Sequence, residues 1–327
     1  MEILFLNIYK QNLLEGYIVK QNKKTMPETI LITGGTGLIG RELTKILTDN
    51  CNSVIWLTRE INSEVNIPQY LWNWKKQQID YNAIEKADII INLAGASING
   101  KRWDENWKNE IYNSRIKSTD LIFDTLSKHR NKLKLFISAS AIGYYGTITS
   151  DKIFTESDSS SNDFLAQTCS DWENCTNNIS KLGIRTVIIR TGIVLSENSD
   201  AFHNLCKPVN MGVGAAIGSG KQYFPWIHID DLVGIYLKAI TEKNIEGVYN
   251  AVAPEYITNY ELMKTLSEKL KKPFILPNIP SFVIKLMFGE LASSLLNGSR
   301  ISSEKIIKAG YKFKFENLKS ALPSLIH

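Results

Sequence analysis

The sequence predicts an α/β protein, a doubly wound parallel sheet covered by helices on both faces, with a smaller C-terminal α/β lobe. Three observations carry that prediction. From Glu28 onward, short apolar runs alternate with amphipathic stretches of helical period. The runs are apolar throughout, as in DIIINL at 88–93, which suits strands buried on both faces. The first run opens directly into a glycine-rich turn and then a helix.

Thr29–Thr33 is the first strand. The helix after its glycine turn sets Ile39, Leu43 and Ile46 on one face, at i, i+4, i+7 spacing. Ser53–Thr58 is the second strand, and two more, 88–93 and 133–138, are separated by a long helix over 103–128. A helix over 163–181 buries Leu165, Cys169, Trp172, Thr176 and Ile179, then leads into a strand at 184–190. Past Arg190 the rhythm breaks. Residues 211–220 (MGVGAAIGSG) form a glycine-rich loop, and 212–223 reads equally as a lid or as a disordered loop. The paired Asp230 and Asp231 are expected to cap a helix over 230–240. From about Pro254 the chain reads as helices with one late strand at 311–315. The expected division is an extension of loosely attached or disordered character at 1–27, a nucleotide-binding domain at 28–250, and a C-terminal substrate-side domain at 251–327. Within the second, 191–226 contributes to the substrate lobe.

Composition excludes several classes. Thirty-eight basic against 33 acidic side chains give a net charge of +5, scattered rather than gathered into a stripe that would follow nucleic-acid phosphates. No apolar run approaches the roughly 20 residues of a membrane span, and the first 25 or so residues make a poor signal peptide. Cys51, Cys169, Cys175 and Cys206 show neither a CxxC pair nor ligand spacing, so no metal is expected and a reducing, cytoplasmic compartment fits.

The strongest motif is Thr33-Gly34-Gly35-Thr36-Gly37-Leu38-Ile39-Gly40. Gly34 permits the tight turn, Gly37 admits a pyrophosphate to the backbone, and Gly40 lets the helix pack on the sheet. Thr36, Leu38 and Ile39 complete the segment whose free N–H groups face the anion. The second strand ends Leu57-Thr58-Arg59 rather than in the acid that would hold a ribose hydroxyl, although Glu60 follows directly. Arg59 pairs instead with a 2′-phosphate, an interaction of about 1.5–3 kcal/mol. NADP(H) is therefore favoured over NAD(H).

The GxxGxxG spacing resembles the extended short-chain dehydrogenases/reductases, a Rossmann-type family. A closer resemblance runs from Glu28 to the C-terminus, to atypical epimerase-type members with a C-terminal domain of unknown function. GGTGLIG, NLAGASINGKRW, SRIKST, SASAIGYYG, DWE, RTGIVLS, PWIHIDDL and GELASSLLNGSR carry it. It implies that Leu93, Ala94 and Gly95 line the cofactor and that Asp80 holds the adenine amino group. It also implies that Ser140, with Ser138 the alternative, is the family's substrate-orienting serine. The family's Tyr-x-x-x-Lys pair is missing. Anchored on Trp172-Glu173, Leu165 stands where the tyrosine is expected and Cys169 where the lysine is expected.

Tyr144 or Tyr145 is the candidate replacement acid/base, with Lys117 or Arg115 as a source of positive charge. Cys169 reads as a small core residue and His228 as a hydrogen-bonded structural histidine. The implied function is an NADP(H)-dependent oxidoreductase or epimerase acting on a small carbonyl or hydroxyl substrate. The alternative is a non-catalytic NADP(H)-binding regulator acting through a protein partner, as in cell division. A small-molecule substrate is the expected partner, without nucleic acid or membrane, and a homodimer is compatible with the reading.

Overall fold

The computed structural model describes residues 27–99 and 101–326. Apart from Pro27, the expected N-terminal extension lies outside the described residues.

β1 (Thr29–Thr33) lies near the middle of an eight-stranded sheet. From it the chain runs through α1 (Leu38–Asp49) to β2 (Ser53–Thr58), β3 (Gln69–Asn73) and the short β4 (Gln78–Ile79). It then returns by α2 (Tyr81–Lys86) to β5 (Ile89–Asn92), which pairs on the other side of β1. α3 (Glu105–Lys128), β6 (Leu135–Ala141), α4 (Phe164–Ser180) and β8 (Arg185–Thr191) extend the sheet on that side, with β7 (Ile153–Phe154) set off in a separate pair. β9 (Ile193–Leu195), α5 (Asp200–Asn210), β10 (Trp226–His228) and α6 (Ile229–Thr241) precede the last sheet strand, β11 (Gly247–Ala251). The sheet order is β11-β8-β6-β5-β1-β2-β3-β4, parallel throughout except for β3 against β4. The winding direction reverses between β1 and β5. Sheets of this kind bind ligands at that point, outside the carboxyl ends of the strands.

Alternation along β1 explains the two-sided core. Ile30 and Ile32 pack with Leu43 and Leu47 of α1 and Leu232 and Tyr236 of α6. Leu31 faces the other way, toward Ile84 of α2, Ile122 of α3 and Ile179 of α4. Each such buried aliphatic contributes about 1.5–3 kcal/mol relative to exposure, so a strand with no polar face is stable only between two helix layers. A separate core joins Phe202, Trp226, Leu262, Leu266, Leu318 and Leu322 of the C-terminal lobe. Its later helices are α7 (Asn259–Lys269), α8 (Ser281–Phe288), α9 (Ala292–Leu296), α10 (Glu304–Lys308) and α11 (Leu318–Leu325), with β12 (Arg300–Ile301) pairing β7.

Three expectations are corrected. Residues 311–315 form no strand: the N–H groups of Lys314 and Phe315 donate to the Asp231 carboxylate at 2.7 and 3.0 Å instead of to a neighbouring strand. Asp231 is thereby occupied, and the cap of α6 is His228, whose Nδ1 accepts from the N–H of Asp230 at 3.1 Å. Segment 212–223 is fastened rather than a free lid. Ile217 bridges Ile279 and donates its N–H to Asn259, Tyr223 bridges Thr258, and Ala215 and Ala216 are buried.

Candidate functional site

A cleft of about 710 Å³ opens at the switch point. Its floor is the turn after β1. Gly34 has φ +69°, a left-handed conformation costly to residues with a β-carbon, and a β-carbon there would lie 3.1 Å from the Leu93 carbonyl. A β-carbon on Gly35 would lie 2.5 Å from the Trp56 indole, and one on Gly40 would collide with the Gly34 carbonyl. The glycines therefore let α1, β2 and the loop after β5 converge on one point. Trp56 is held there by its indole N–H donating to Thr44 at 2.9 Å, which donates to the Gly40 carbonyl at 2.7 Å.

α1 begins at Gly37 with no side-chain cap and no acidic residue in its first turn. The long helices α3, α4 and α7 are capped by Asp104, Asp163 and Thr258. An uncapped N-terminus facing a cleft leaves backbone donors and the positive end of the helix dipole for an anion.

Thr33 ties the two sides of the cleft together. Its hydroxyl donates to Asn92 at 2.7 Å and accepts the N–H groups of Leu93 and Ala94 at 3.0 and 3.1 Å. Asn92 donates to Thr119, which also accepts from Trp172 of α4. This buried polar chain fixes where Leu93, Ala94 and Gly95 line the cleft.

Of the expected cofactor residues, Gly34, Thr36, Gly37, Arg59, Leu93, Ala94 and Gly95 line one cleft. Arg59 is exposed at its end and has no ion-pair partner among the described residues. Leu38 and Ile39 pack their side chains on the sheet core, and Gly40 serves as the close-contact point beneath the turn. Asp80 is not brought to the cleft: it caps α2, accepting from Asn82 N–H at 3.0 Å. Trp72 of β3 and Trp74 and Lys75 just after it line the cleft on that side. Sequence reading missed them because β3, with its mixed QYLWN pattern, gives no clear strand signal.

The expected catalytic residues lie on β6 and the turn that follows it, beside β5 in the sheet. Ser140 is buried, and its hydroxyl donates to Glu173 of α4 at 2.6 Å. Glu173 also holds Arg190 of β8 through both oxygens at 2.8 Å. Arg190 donates to the Tyr145 hydroxyl at 2.9 Å, and Tyr145 donates to Asn250 at 2.7 Å. Burial pushes the Tyr145 phenol up to about 12, against the pull of Arg190. Ser140 and Tyr145 are thus members of one closed, buried network. Tyr144 differs. It is half-buried, its ring lies 3.4 Å from the Arg190 guanidinium carbon, and its hydroxyl has no partner among the described residues.

His228 is buried and stays neutral, its pKa lowered to about 4 by burial, with Ser324 at 3.1 Å from Nε2. Cys169 is buried too, its thiol pushed up to about 11 by burial. Lys117 is exposed, whereas Arg115 turns inward. Arg115 donates to the carbonyls of Ile111 and Ala96 at 2.8 and 3.1 Å. No group of three or more His, Cys, Asp or Glu suited to a metal occurs among the described residues. No helix among the described residues is long and apolar enough to cross a membrane.

The NAD dependent epimerase/dehydratase family model matches residues 30–251, the glycine turn and all eight strands of the main sheet but for the first residue of β1. The chain belongs to that family. A domain of unknown function, DUF1731, matches residues 279–325. An epimerase family protein of Staphylococcus saprophyticus is 35% identical over 91% of this chain and 99% of its own length. The mouse epimerase family protein SDR39U1 is 30% identical over 91% of this chain and 99% of its own. Among solved structures, human SDR39U1 (isoform 2) with NADPH superposes with a TM-score of 0.80 at 29% identity, covering 91% of this chain and 98% of that one. A nucleoside-diphosphate sugar epimerase from Corynebacterium glutamicum gives 0.78 at 28%, covering 97% of this chain and 61% of that one. The parallel sheet and its helix layers are those of this epimerase family.

Proposed function

We propose that the protein binds NADP(H) across the carboxyl ends of β1, β2 and β5 and acts as an oxidoreductase or epimerase on a small carbonyl or hydroxyl substrate. The residues fit the dinucleotide. A turn built of glycines, filled by any added β-carbon, leads into an uncapped helix start, and an unpaired arginine stands at the end of β2. The Arg59 position is the observation that carries the choice of NADP(H) over NAD(H), because only a 2′-phosphate offers it a charged partner there. The NADPH bound by the human relative supports the same choice.

The turn and the N-terminus of α1 would hold the pyrophosphate, and Arg59 the 2′-phosphate. When bound, the nicotinamide supplies or accepts a hydride. The protein's own part is the proton. Tyr144 is the group we assign to it, since its hydroxyl is uncommitted and Arg190 holds its ring in place at 3.4 Å. Calorimetric titration with NADPH and NADH tests the reading: preferential NADPH binding supports it, and failure of both overturns it.

A second reading rests on the closed network. With Ser140 and Tyr145 spent inside the protein and no Tyr–Lys pair on α4, an NADP(H)-binding regulator acting through a protein partner is the alternative. NADPH binding without oxidation by a panel of small carbonyl compounds, plus a partner recovered in complex, favours it.

A further inference from the structure

Arg115 is a cation turned into the protein with no carboxylate to meet it. No ion pair involves it among the described residues, and its two hydrogen bonds go to neutral carbonyls. Its guanidinium lies over Trp172 at 5.3 Å and next to the buried Cys169. Burial depresses its pKa below the usual arginine value, as expected for a charge lacking a counter-ion. A half-buried charge without a counter-ion gains a partner when an anionic ligand is brought beside it.

Its place at the cleft is defined by Gly95. This exposed residue lines the cleft, and a β-carbon on it would sit 2.9 Å from the guanidinium carbon. The missing side chain therefore lets the guanidinium pack directly against the wall of the cleft at Gly95. Gly95 lies two residues beyond Leu93, whose carbonyl touches the glycine turn, so a group over Gly95 is past the pyrophosphate cradle. On α4, position 169 offers only a buried thiol, whereas Arg115 of α3 lies next to it.

We propose that Arg115, packed behind Gly95 at the cleft wall, is the anion-binding residue of the substrate side of the cleft, and that the substrate carries a carboxylate. This rests on the cleft being the cofactor cleft. Two of the five guanidinium N–H donors are taken by carbonyls, and the remaining three in one plane suit the two parallel bonds of a planar carboxylate. The substrate class is then a small oxo or hydroxy acid.

The test uses the full chain and oxamate, an unreactive carboxylate probe, with uncharged oxamide and inorganic phosphate as companions, titrated calorimetrically with and without saturating NADPH. The wild type is expected to bind oxamate at least about tenfold more tightly than oxamide or phosphate. Arg115→Met is expected to weaken oxamate by about tenfold or more while NADPH affinity stays within about threefold. Arg115→Lys, which keeps the charge but not the fork, is expected to weaken oxamate by about fivefold or more, and the exposed control Lys117→Met is expected to keep it within about threefold. Gly95→Ala, whose β-carbon keeps the charge but pushes the guanidinium off the cleft wall, is expected to lose oxamate as Arg115→Met does.

No oxamate binding by NADPH-loaded wild type, equal affinity for oxamide, or unchanged oxamate affinity in Arg115→Met overturns the assignment. Preference for phosphate overturns the carboxylate class. If Arg115→Met does not fold, Gly95→Ala decides, and its retention of oxamate overturns the proposal. Oxamate binding that depends on Arg115 without any NADPH binding by the wild type would instead overturn the cofactor reading alone.

Discussion

The Ser140 hydroxyl donates to the Glu173 carboxylate at 2.6 Å, and the same carboxylate clamps Arg190 through both of its oxygens. β6, α4 and β8 are thereby cross-linked by a serine, an acid and an arginine that are all nearly inaccessible to water. In this protein the serine at the family position is an acceptor-matched structural group, and the carboxylate that holds it is neutralised by a cation from the next strand.

Replacing Glu173 by Gln leaves Arg190 buried without its counter-charge. A loss of about 3–5 kcal/mol is expected in urea denaturation. Ser140→Ala is expected to cost about 1–3 kcal/mol through the unmet carboxylate oxygen, with any turnover held within about threefold. A tenfold fall in turnover at unchanged stability would return Ser140 to the chemistry.

Tyr144→Phe keeps the ring on Arg190 and removes only the hydroxyl. If the protein turns over a carbonyl substrate, a fall in kcat of about 100-fold is expected, with NADPH affinity unchanged, because general acid–base catalysis contributes on that order. Stopped-flow measurement of NADPH oxidation reads it directly, and full retention would remove Tyr144 from the proton path.

Arg59→Ala is expected to weaken NADPH about ten- to 100-fold, the loss of one charge-assisted pair, and to leave NADH within about threefold. Equal losses for both cofactors would show that Arg59 does not read the 2′-phosphate.

Gly40→Ala is expected to weaken both cofactors together. Its β-carbon would collide with the Gly34 carbonyl, forcing α1 away from the turn that holds the anion. Calorimetry with NADPH and NADH checks this, and unchanged affinity would show that the contact beneath the turn relaxes without cost.

Acid lability is a further structural consequence. The pKa of His228 falls from 6.5 to about 4 on folding, so the unfolded chain binds the proton first, and stability is lost as pH drops from about 6.5 toward 4. Asp231, raised from 3.8 to about 6 by burial, acts in the opposite sense over much of the same range. Comparing parent with His228→Asn isolates the histidine contribution. Between pH 7 and pH 5 the parent is expected to lose about 2 kcal/mol more than the variant in denaturant unfolding. An identical pH dependence would mean that His228 is not neutral in the native protein.

The glycine turn, the apolar strands and the helices following them were legible in the sequence because each is a local matter. Gly34 needs its left-handed turn, and Ile39, Leu43 and Ile46 share a face, whatever else the chain does. The place of Arg59 at the cleft was legible for the same reason, as the residue directly after a strand. The edge strand β3 was not, since its alternation is too weak to separate from a loop, and with it went the aromatic cleft wall of Trp72 and Trp74.

What tertiary structure alone decided is where polar groups are spent. Local sequence puts Ser138 and Ser140 on one face of β6 but does not say that α4 covers this face with Glu173, or that β8 supplies Arg190 to close the pair. It offers Arg115 and Lys117 as equal sources of charge, two residues apart on one helix. Folding turns one toward Gly95 and the other to water. The backbone of 311–315 looks like a strand until the carboxylate of Asp231, far away in the chain, takes its N–H groups. A residue's chemistry is written in the sequence, but a donor buried by folding must find its acceptor in three dimensions, and that partner decides whether it remains free to act.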